Sequence, residues 1–255
     1  MHVAFSRTDH RQWAVPNRRW TWRQSWKDLL FAHWPVPANT IRPLVPRGLT
    51  VQEFAGTSWI GVVPFRMAGV MRRPLPDVPW LSAFPELNLR LYVERDGKPG
   101  VWFLSLDAAN PVAVWAARRF FHLPYFLAEI AFDHRPDGFA FASRRTGEAG
   151  RLSVRAHYRP SSAPFEAKPG SLESFLAERY CLYTQAPSGA IYRADVHHVP
   201  WPLQEAFGEV EASELIAPHG FQVQGPPILH FSSGVDVVVW PMERLAEPSD
   251  AADSR

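Results

Sequence analysis

The sequence predicts a mainly β (α+β) chain: a single, largely antiparallel β-barrel domain with a few short helices. Three observations carry this. Segments that alternate in polarity are separated by proline and glycine, of which the 255 residues hold 25 and 15. Helical periodicity appears only in short runs, and strands never alternate with helices as a doubly wound sheet requires. No fixed repeat or low-complexity linker divides the chain, and β-barrels often reach this length as one unit.

Taken in order, residues 1–19 read as a basic, tryptophan-containing extension, 20–246 as the barrel domain, and 247–255 as a polar, disordered tail. A short helical stretch is expected at 38–45. Residues 59–67 alternate, with Trp59, Gly61, Val63, Phe65 and Met67 on one face and Ile60, Val62 and Arg66 on the other. Residues 87–93 alternate more sharply, with Leu87, Leu89, Leu91 and Val93 facing one way and Glu86, Asn88, Arg90 and Tyr92 the other. Asp96-Gly97 supplies the positive φ of a tight turn, closing a hairpin onto 101–106. Asn110 caps and Pro111 starts a helix over 112–121, whose last turn carries Arg118 and Arg119 at the negative end of its dipole. Pro124 ends that helix, and Tyr125 begins an extended segment. Further strands are expected at 152–158, 179–184, 190–198 and 235–240, with a short helix after Ser171 whose Leu172, Phe175 and Leu176 share a face.

Net charge is only +2, but it is unevenly spread: the chain up to Arg47 is basic and from Glu205 onward acidic. Such asymmetry marks either a nucleic-acid or membrane patch, or two ends that lie together and compensate. No aromatic RNP pattern or zinc finger accompanies the arginines, so compensation is the reading preferred, with no nucleic-acid partner. No window of about 18 uncharged apolar residues exists, so no membrane partner is expected. Charges fill residues 1–13, where a signal peptide needs an apolar core. The single cysteine, Cys181, excludes an internal disulfide framework and a cysteine-built zinc site and points to a reducing, cytoplasmic setting.

Chemistry concentrates in two places. Glu86, Asn88 and Arg90 set a carboxylate, an amide and a guanidinium on one face of a strand. They describe either the wet side of an ordinary sheet or the polar lumen of a barrel whose leucine face is covered. In a lumen, Glu86 and Arg90 could hold an anionic or keto ligand between them. The second place is the helix end, where Tyr125 follows Arg118, Arg119 and His122; nearby guanidinium groups stabilise a phenolate and suit the tyrosine to proton transfer. The ten histidines show no metal-binding spacing, and adjacent His197 and His198 would face opposite ways on a strand. No metal or other cofactor is expected: Ser232-Ser233-Gly234 lacks a nucleophile elbow, Cys181 reads as a buried filler, and no phosphate loop or dinucleotide fingerprint is present.

The phrases 31–37 (Phe-Ala-His-Trp-Pro-Val-Pro), 63–67 (Val-Pro-Phe-Arg-Met), 84–88 (Phe-Pro-Glu-Leu-Asn), 103–108 (Phe-Leu-Ser-Leu-Asp-Ala), 169–180 and 197–203 together resemble the YqjF-like family, domain-of-unknown-function family 2071. That resemblance runs from about Trp26 to Trp240. More distantly the layout resembles the acetoacetate decarboxylase superfamily, which implies a cone-shaped antiparallel barrel with a ligand cavity. In that superfamily a glutamate-bearing strand precedes a hairpin and a proline-started helix carrying Gly-Arg-Glu, then Tyr-Pro-Lys-Lys with the Schiff-base lysine. Glu86, Arg118 and Pro124 match; Tyr125 and Phe126 stand where the two lysines would be. A phenol cannot form an iminium, so the resemblance implies the fold without Schiff-base decarboxylation.

The resulting expectation is a lumen that binds a small carboxylate or keto-type molecule. Glu86, Arg118 and Tyr125 are the candidate catalytic residues; Arg66, Asn88, Arg90, His122 and Tyr183 are candidate lining. An enzyme of this kind would orient an anion on Arg90 or Arg118 while Tyr125 and Glu86 move protons in a lyase, hydratase or isomerase step. Two other classes stay open: a non-catalytic binding or sensing protein, and an interaction module, such as a homo-oligomer contact, docking through Trp13, Trp20, Trp22 and Trp26.

Overall fold

Strand β1 (Trp22–Val36) sets the architecture. Its residues Leu29, Leu30, Phe31, Ala32, His33 and Trp34 are all buried, so both of its faces must be covered. The sheet meets that demand by closing twice. The computed structural model describes residues 2–75, 82–147 and 152–246; the 247–255 tail lies outside them. The other strands are β2 (Thr50–Val51), β3 (Ser58–Arg72), β4 (Phe84–Arg95), β5 (Lys98–Ala108), β6 (Tyr125–Arg135), β7 (Gly138–Arg145), β8 (Ser153–Pro160), β9 (Cys181–Gln185), β10 (Ile191–His197), β11 (Leu203–Glu211), β12 (Ile228–Val239) and β13 (Glu243–Arg244).

Hydrogen bonds run in a closed ring through nine of them, β5-β6-β7-β8-β11-β12-β1-β3-β4 and back to β5. A second closure uses β9 and β10: β9 pairs with β5, and β10 with β12, completing a seven-membered ring over the same shared wall of β12, β1, β3, β4 and β5. All pairings in these rings are antiparallel except those of β5 with β6 and β9. The shared strands therefore have one face toward each compartment. The nine-strand side holds the main apolar core, in which Leu87, Leu89 and Leu91 of β4 meet Phe139, Phe141, Val154 and Tyr158 of β7 and β8. On the seven-strand side Phe31, Val63 and Phe65 pack with Val196 and Trp201.

Local chemistry explains the shorter elements. The β4–β5 hairpin turns on Asp96 (φ 55°) and Gly97 (φ 67°), as a two-residue turn of this hand requires. Asn110 accepts from the backbone N–H groups of Val112 and Ala113 and starts α2 (Pro111–Phe121). The 38–45 stretch is α1 (Ala38–Ile41) followed by a 3-10 turn, Arg42–Leu44. Ser171 caps α3 (Leu172–Ala177), which lies against the seven-strand side.

The amino-terminal segment does not present its tryptophans as an exposed patch. Trp13 donates to Asp195 at 2.9 Å, Trp20 lies under Arg73, Trp22 packs edge-on against Phe121, and Trp26 stacks on Trp201. Arg11 is buried against the carbonyl of Val196, and His10 stacks on His197. The rings are consumed in docking this segment. Arg18 lies 3.7 Å from Glu243, so the basic and acidic ends do meet. No helix among the described residues is long and apolar enough to cross a membrane.

Candidate functional site

Strand β4 brings Glu86, Asn88 and Arg90 to the seven-strand side, opposite Phe65, Val63 and Gly61 of β3. They are 2%, 8% and 9% exposed, while the leucine face behind them is buried as well. A sheet with one wet face is thus excluded. Around the row the compartment is packed with side chains: the Arg90 guanidinium lies 5.4 Å from the Phe31 ring, and Trp201 meets that ring edge-on at 5.2 Å.

Glu86 and Tyr125 come together because β6 starts in parallel register beside the end of β5, pairing Tyr125 with Leu106, itself opposite Asn88. The Tyr125 hydroxyl donates to Glu86 Oε2 at 2.9 Å. Burial pushes the Glu86 carboxyl up to about 8, against the opposing pull of that hydrogen bond, with a smaller upward push from Asp107. Burial also carries Tyr125 well above the ordinary phenol, helped by Glu86. Glu86 is thus mostly a neutral acid near pH 7. The Asn88 Oδ1 atom is buried with no hydrogen-bond partner among the described residues. Buried polar atoms of this kind are rare, because leaving one unpaired costs about 1–3 kcal/mol.

The structure does not bring the other candidates to this row. Arg66, in the middle of β3, is exposed; it forms an ion pair with Asp28 and lies over the Phe132 ring. Arg118 is on the solvent side of α2, where it shares an open groove of about 460 Å³ with His122, Pro124 and Gln185. His122 ends the helix in a left-handed conformation (φ 52°), and its ring lies 5.7 Å from that of Tyr192. Tyr183 sits on the opposite, leucine-side core and donates to the carbonyls of Lys98 (2.7 Å) and Arg95 (3.1 Å). Cys181 is buried, its thiol pushed up to about 12 by burial, which suits a filler and not a nucleophile.

Sequence reasoning missed three groups beside the row. Tyr92 continues it, and its hydroxyl contacts His33 Nε2 (2.6 Å), Arg90 Nε (3.2 Å) and the Leu176 carbonyl (2.9 Å). Arg179 lies over the Tyr92 ring at 5.0 Å. The alternation of β4 already put Tyr92 on this face; His33 and Arg179 reach it only through strand pairing and the placement of α3. Asp107, on the other face of the wall, forms a buried ion pair with Arg145 at 2.8 Å. Burial outweighs the pull of Arg145 and holds Asp107 at about 6.

The model of family DUF2071, described as an uncharacterized conserved protein, matches residues 23–236. The chain belongs to this family. It is 43% identical over 232 residues to the uncharacterized protein YqjF of Bacillus subtilis (strain 168), covering 91% of this chain and 95% of that one. Among solved structures, acetoacetate decarboxylase from Legionella pneumophila superposes with a TM-score of 0.62 at 11% identity, covering 95% of this chain and 94% of that one. The enduracididine biosynthesis enzyme MppR complexed with pyruvate gives 0.63 at 13%, covering 94% and 95%. An acetoacetate decarboxylase-like enzyme from Sphingomonas wittichii RW1 gives 0.58 at 14%, covering 93% and 98%. This family member therefore has the acetoacetate decarboxylase fold.

Its three lysines bear on what that fold can do here. Lys27 and Lys168 are exposed, and Lys98 lies in the β4–β5 turn region, 5.8 Å from the Trp13 ring. None stands beside Glu86, where Tyr125 is found. Incubation with acetoacetate and borohydride is expected to leave the protein mass unchanged; a stoichiometric reduced adduct would show a Schiff-base lysine after all.

Proposed function

We propose that the seven-strand compartment binds a small oxygenated organic molecule of carboxylate or keto type, held by Glu86, Asn88, Arg90 and Tyr125. The observation that carries this is the Asn88 amide, whose oxygen is buried and unpaired in the middle of a row of polar side chains inside a closed ring of strands. Other buried side-chain atoms among the described residues also lack a partner; Asn88 is set apart by its place between the Glu86 acid and the Arg90 guanidinium. Beside it, Tyr125 donates to Glu86, so the proton of the neutral Glu86 acid is free to donate to a ligand carbonyl. Such a pair can also deliver and retrieve a proton, the basis for a lyase, hydratase or isomerase step that needs no lysine. Likeness to MppR complexed with pyruvate makes pyruvate a sensible first probe.

Asn88→Leu separates binding from architecture. Leucine has nearly the same shape and removes the unpaired oxygen, so the variant is expected to melt at the wild-type temperature or slightly above it. Calorimetric titration with pyruvate is expected to show saturable binding to wild type and at least tenfold weaker binding to Asn88→Leu. Equal affinity in the two proteins would remove the row from the ligand site. Following the titrated pyruvate by proton NMR then distinguishes the two functional classes: consumption marks an enzyme, and unchanged pyruvate a binding or sensing protein.

A further inference from the structure

Five arginines are buried among the described residues: Arg11, Arg90, Arg145, Arg179 and Arg193. Three of them have a carboxylate at ion-pair distance. Arg11 lies 3.8 Å from Asp195, Arg145 2.8 Å from Asp107, and Arg193 3.7 Å from Asp195 and 3.2 Å from Glu243. The other two, Arg90 and Arg179, have none among the described residues, and they are neighbours. Their guanidinium carbons lie 5.5 and 5.0 Å from the centroid of the same Tyr92 ring.

What they do touch is neutral. Arg90 donates to the Leu176 carbonyl (3.0 Å) and to the Tyr92 hydroxyl (3.2 Å). Arg179 donates to the Phe175 carbonyl (2.7 Å) and to Gln52 Oε1, and its Nη2 is buried without a partner. Glu94 is not at ion-pair distance but acts on Arg179 through space, and the Gln52 amide between them donates to Glu94 at 2.7 Å. The third nearby base, His33, is fully buried. The Tyr92 hydroxyl has one proton, given to the Leu176 carbonyl, so it accepts from His33 Nε2–H. Nδ1 is then a bare lone pair, and it too has no partner. The ring is neutral, since burial and the two guanidinium charges hold its pKa well below the ordinary value.

Two buried cations without an ion-pair partner are expensive, and one anion between them removes most of the penalty. The groups now facing them, the last carbonyls of α3, are the negative end of a helix and offer part of what an anion offers in full. We propose that Arg90 and Arg179 form a carboxylate subsite, so that the ligands of this compartment are organic acids and not neutral carbonyl compounds. This rests on the ligand-binding reading above and adds its substrate class: an acid group at the arginine end, and an oxygen function toward Asn88 and Glu86 on the same strand. A planar, bidentate carboxylate matches the guanidinium fork.

The test compares pyruvate, its neutral ester methyl pyruvate and inorganic phosphate by calorimetric titration at constant ionic strength. Wild-type protein is expected to bind pyruvate at least tenfold more tightly than either of the others. Arg179→Gln, which keeps donors but loses the charge, is expected to weaken pyruvate at least tenfold and leave methyl pyruvate within threefold; Arg179→Lys is expected to recover part of the loss. Methyl pyruvate binding as tightly as pyruvate, with dependence on Asn88, would overturn the acid subsite and leave the ligand-binding reading standing. Preference for phosphate would overturn the carboxylate assignment. Failure of all three to bind would remove both. The comparison of acid with ester needs only the wild-type protein, so it decides the matter even where an arginine variant does not fold.

Discussion

Glu86→Gln is expected to gain in stability relative to the wild-type protein as pH rises from 5 to 9. The Glu86 carboxyl is held at about 8, chiefly by burial, against an ordinary value of 4.5. The folded state thus keeps a proton that the unfolded chain releases. A group raised in this way contributes its full share below the unfolded value, and that share drains away as pH rises through the folded one. Each tenfold difference in proton affinity between the folded and unfolded chain is worth about 1.4 kcal/mol, so the share at stake is on the order of 2–4 kcal/mol for a buried group coupled to a tyrosine. Glutamine keeps the neutral acceptor for Tyr125 and has no proton to lose. Chemical denaturation at pH 5, 7 and 9 is the measurement: near-equal stabilities at pH 5 are expected, with the variant ahead by pH 9. Parallel curves for the two proteins across that range would mean that Glu86 does not titrate from a buried neutral state. Asp107, held near 6, adds a decline of the same sign in the lower part of the range, present in both proteins.

The second large effect is expected at Asp107 itself. Its ion pair with Arg145 is buried on both sides, with side chains 2% and 5% exposed, and the guanidinium also lies 4.0 Å from the Phe126 ring centroid. Asp107→Ala strands that guanidinium in the core and is expected to destabilise the fold by about 3–5 kcal/mol at pH 8, where the aspartate is ionised. Replacing both partners, Asp107→Leu with Arg145→Met, removes the charge problem as well as the attraction and is expected to recover most of the loss. Urea denaturation of the wild type, the single variant and the double variant checks this. A double variant no more stable than Asp107→Ala would show that packing around Asp107, not the isolated charge, governs the effect. Since Asp107 is on the leucine side of the wall, pyruvate binding by the folded double variant is expected to stay close to wild type.

Local rules read a good part of this protein correctly. The two faces of β4, the Asp96-Gly97 turn, the Asn110 cap and the Pro111 start of α2 all follow from nearest-neighbour chemistry, and each is found where that chemistry puts it. The second half of β1, residues 29–36, is illegible to the same rules, because a mostly apolar run buried on both faces has no alternation to detect. β7 and β11 alternate more visibly, in buried and exposed positions, but small and aromatic residues there blur the contrast. Within the site, residues on one strand are legible together: Glu86, Asn88 and Arg90 share a face by parity alone.

Long-range partners are not. Arg66 and Tyr183 have the residue types of a site, but strand position sends one to solvent and the other to the opposite core. Arg118 follows the turn of a surface helix. His33 and Arg179, which no spacing singles out, are carried to the row by β1 pairing and by the end of α3. Short-range chemistry is thus enough for the strand-rich class, the hairpin, the caps and the company that Glu86, Asn88 and Arg90 keep on β4. That a second ring closes over their face is a matter of long-range assembly, because closure depends on pairings such as β5 with β9 and β10 with β12 between residues far apart in the chain. Burial is a property of that closure, and burial is what turns a row of ordinary polar residues and the arginine beside it into a neutral acid, an unpaired amide and two cations without an ion-pair partner.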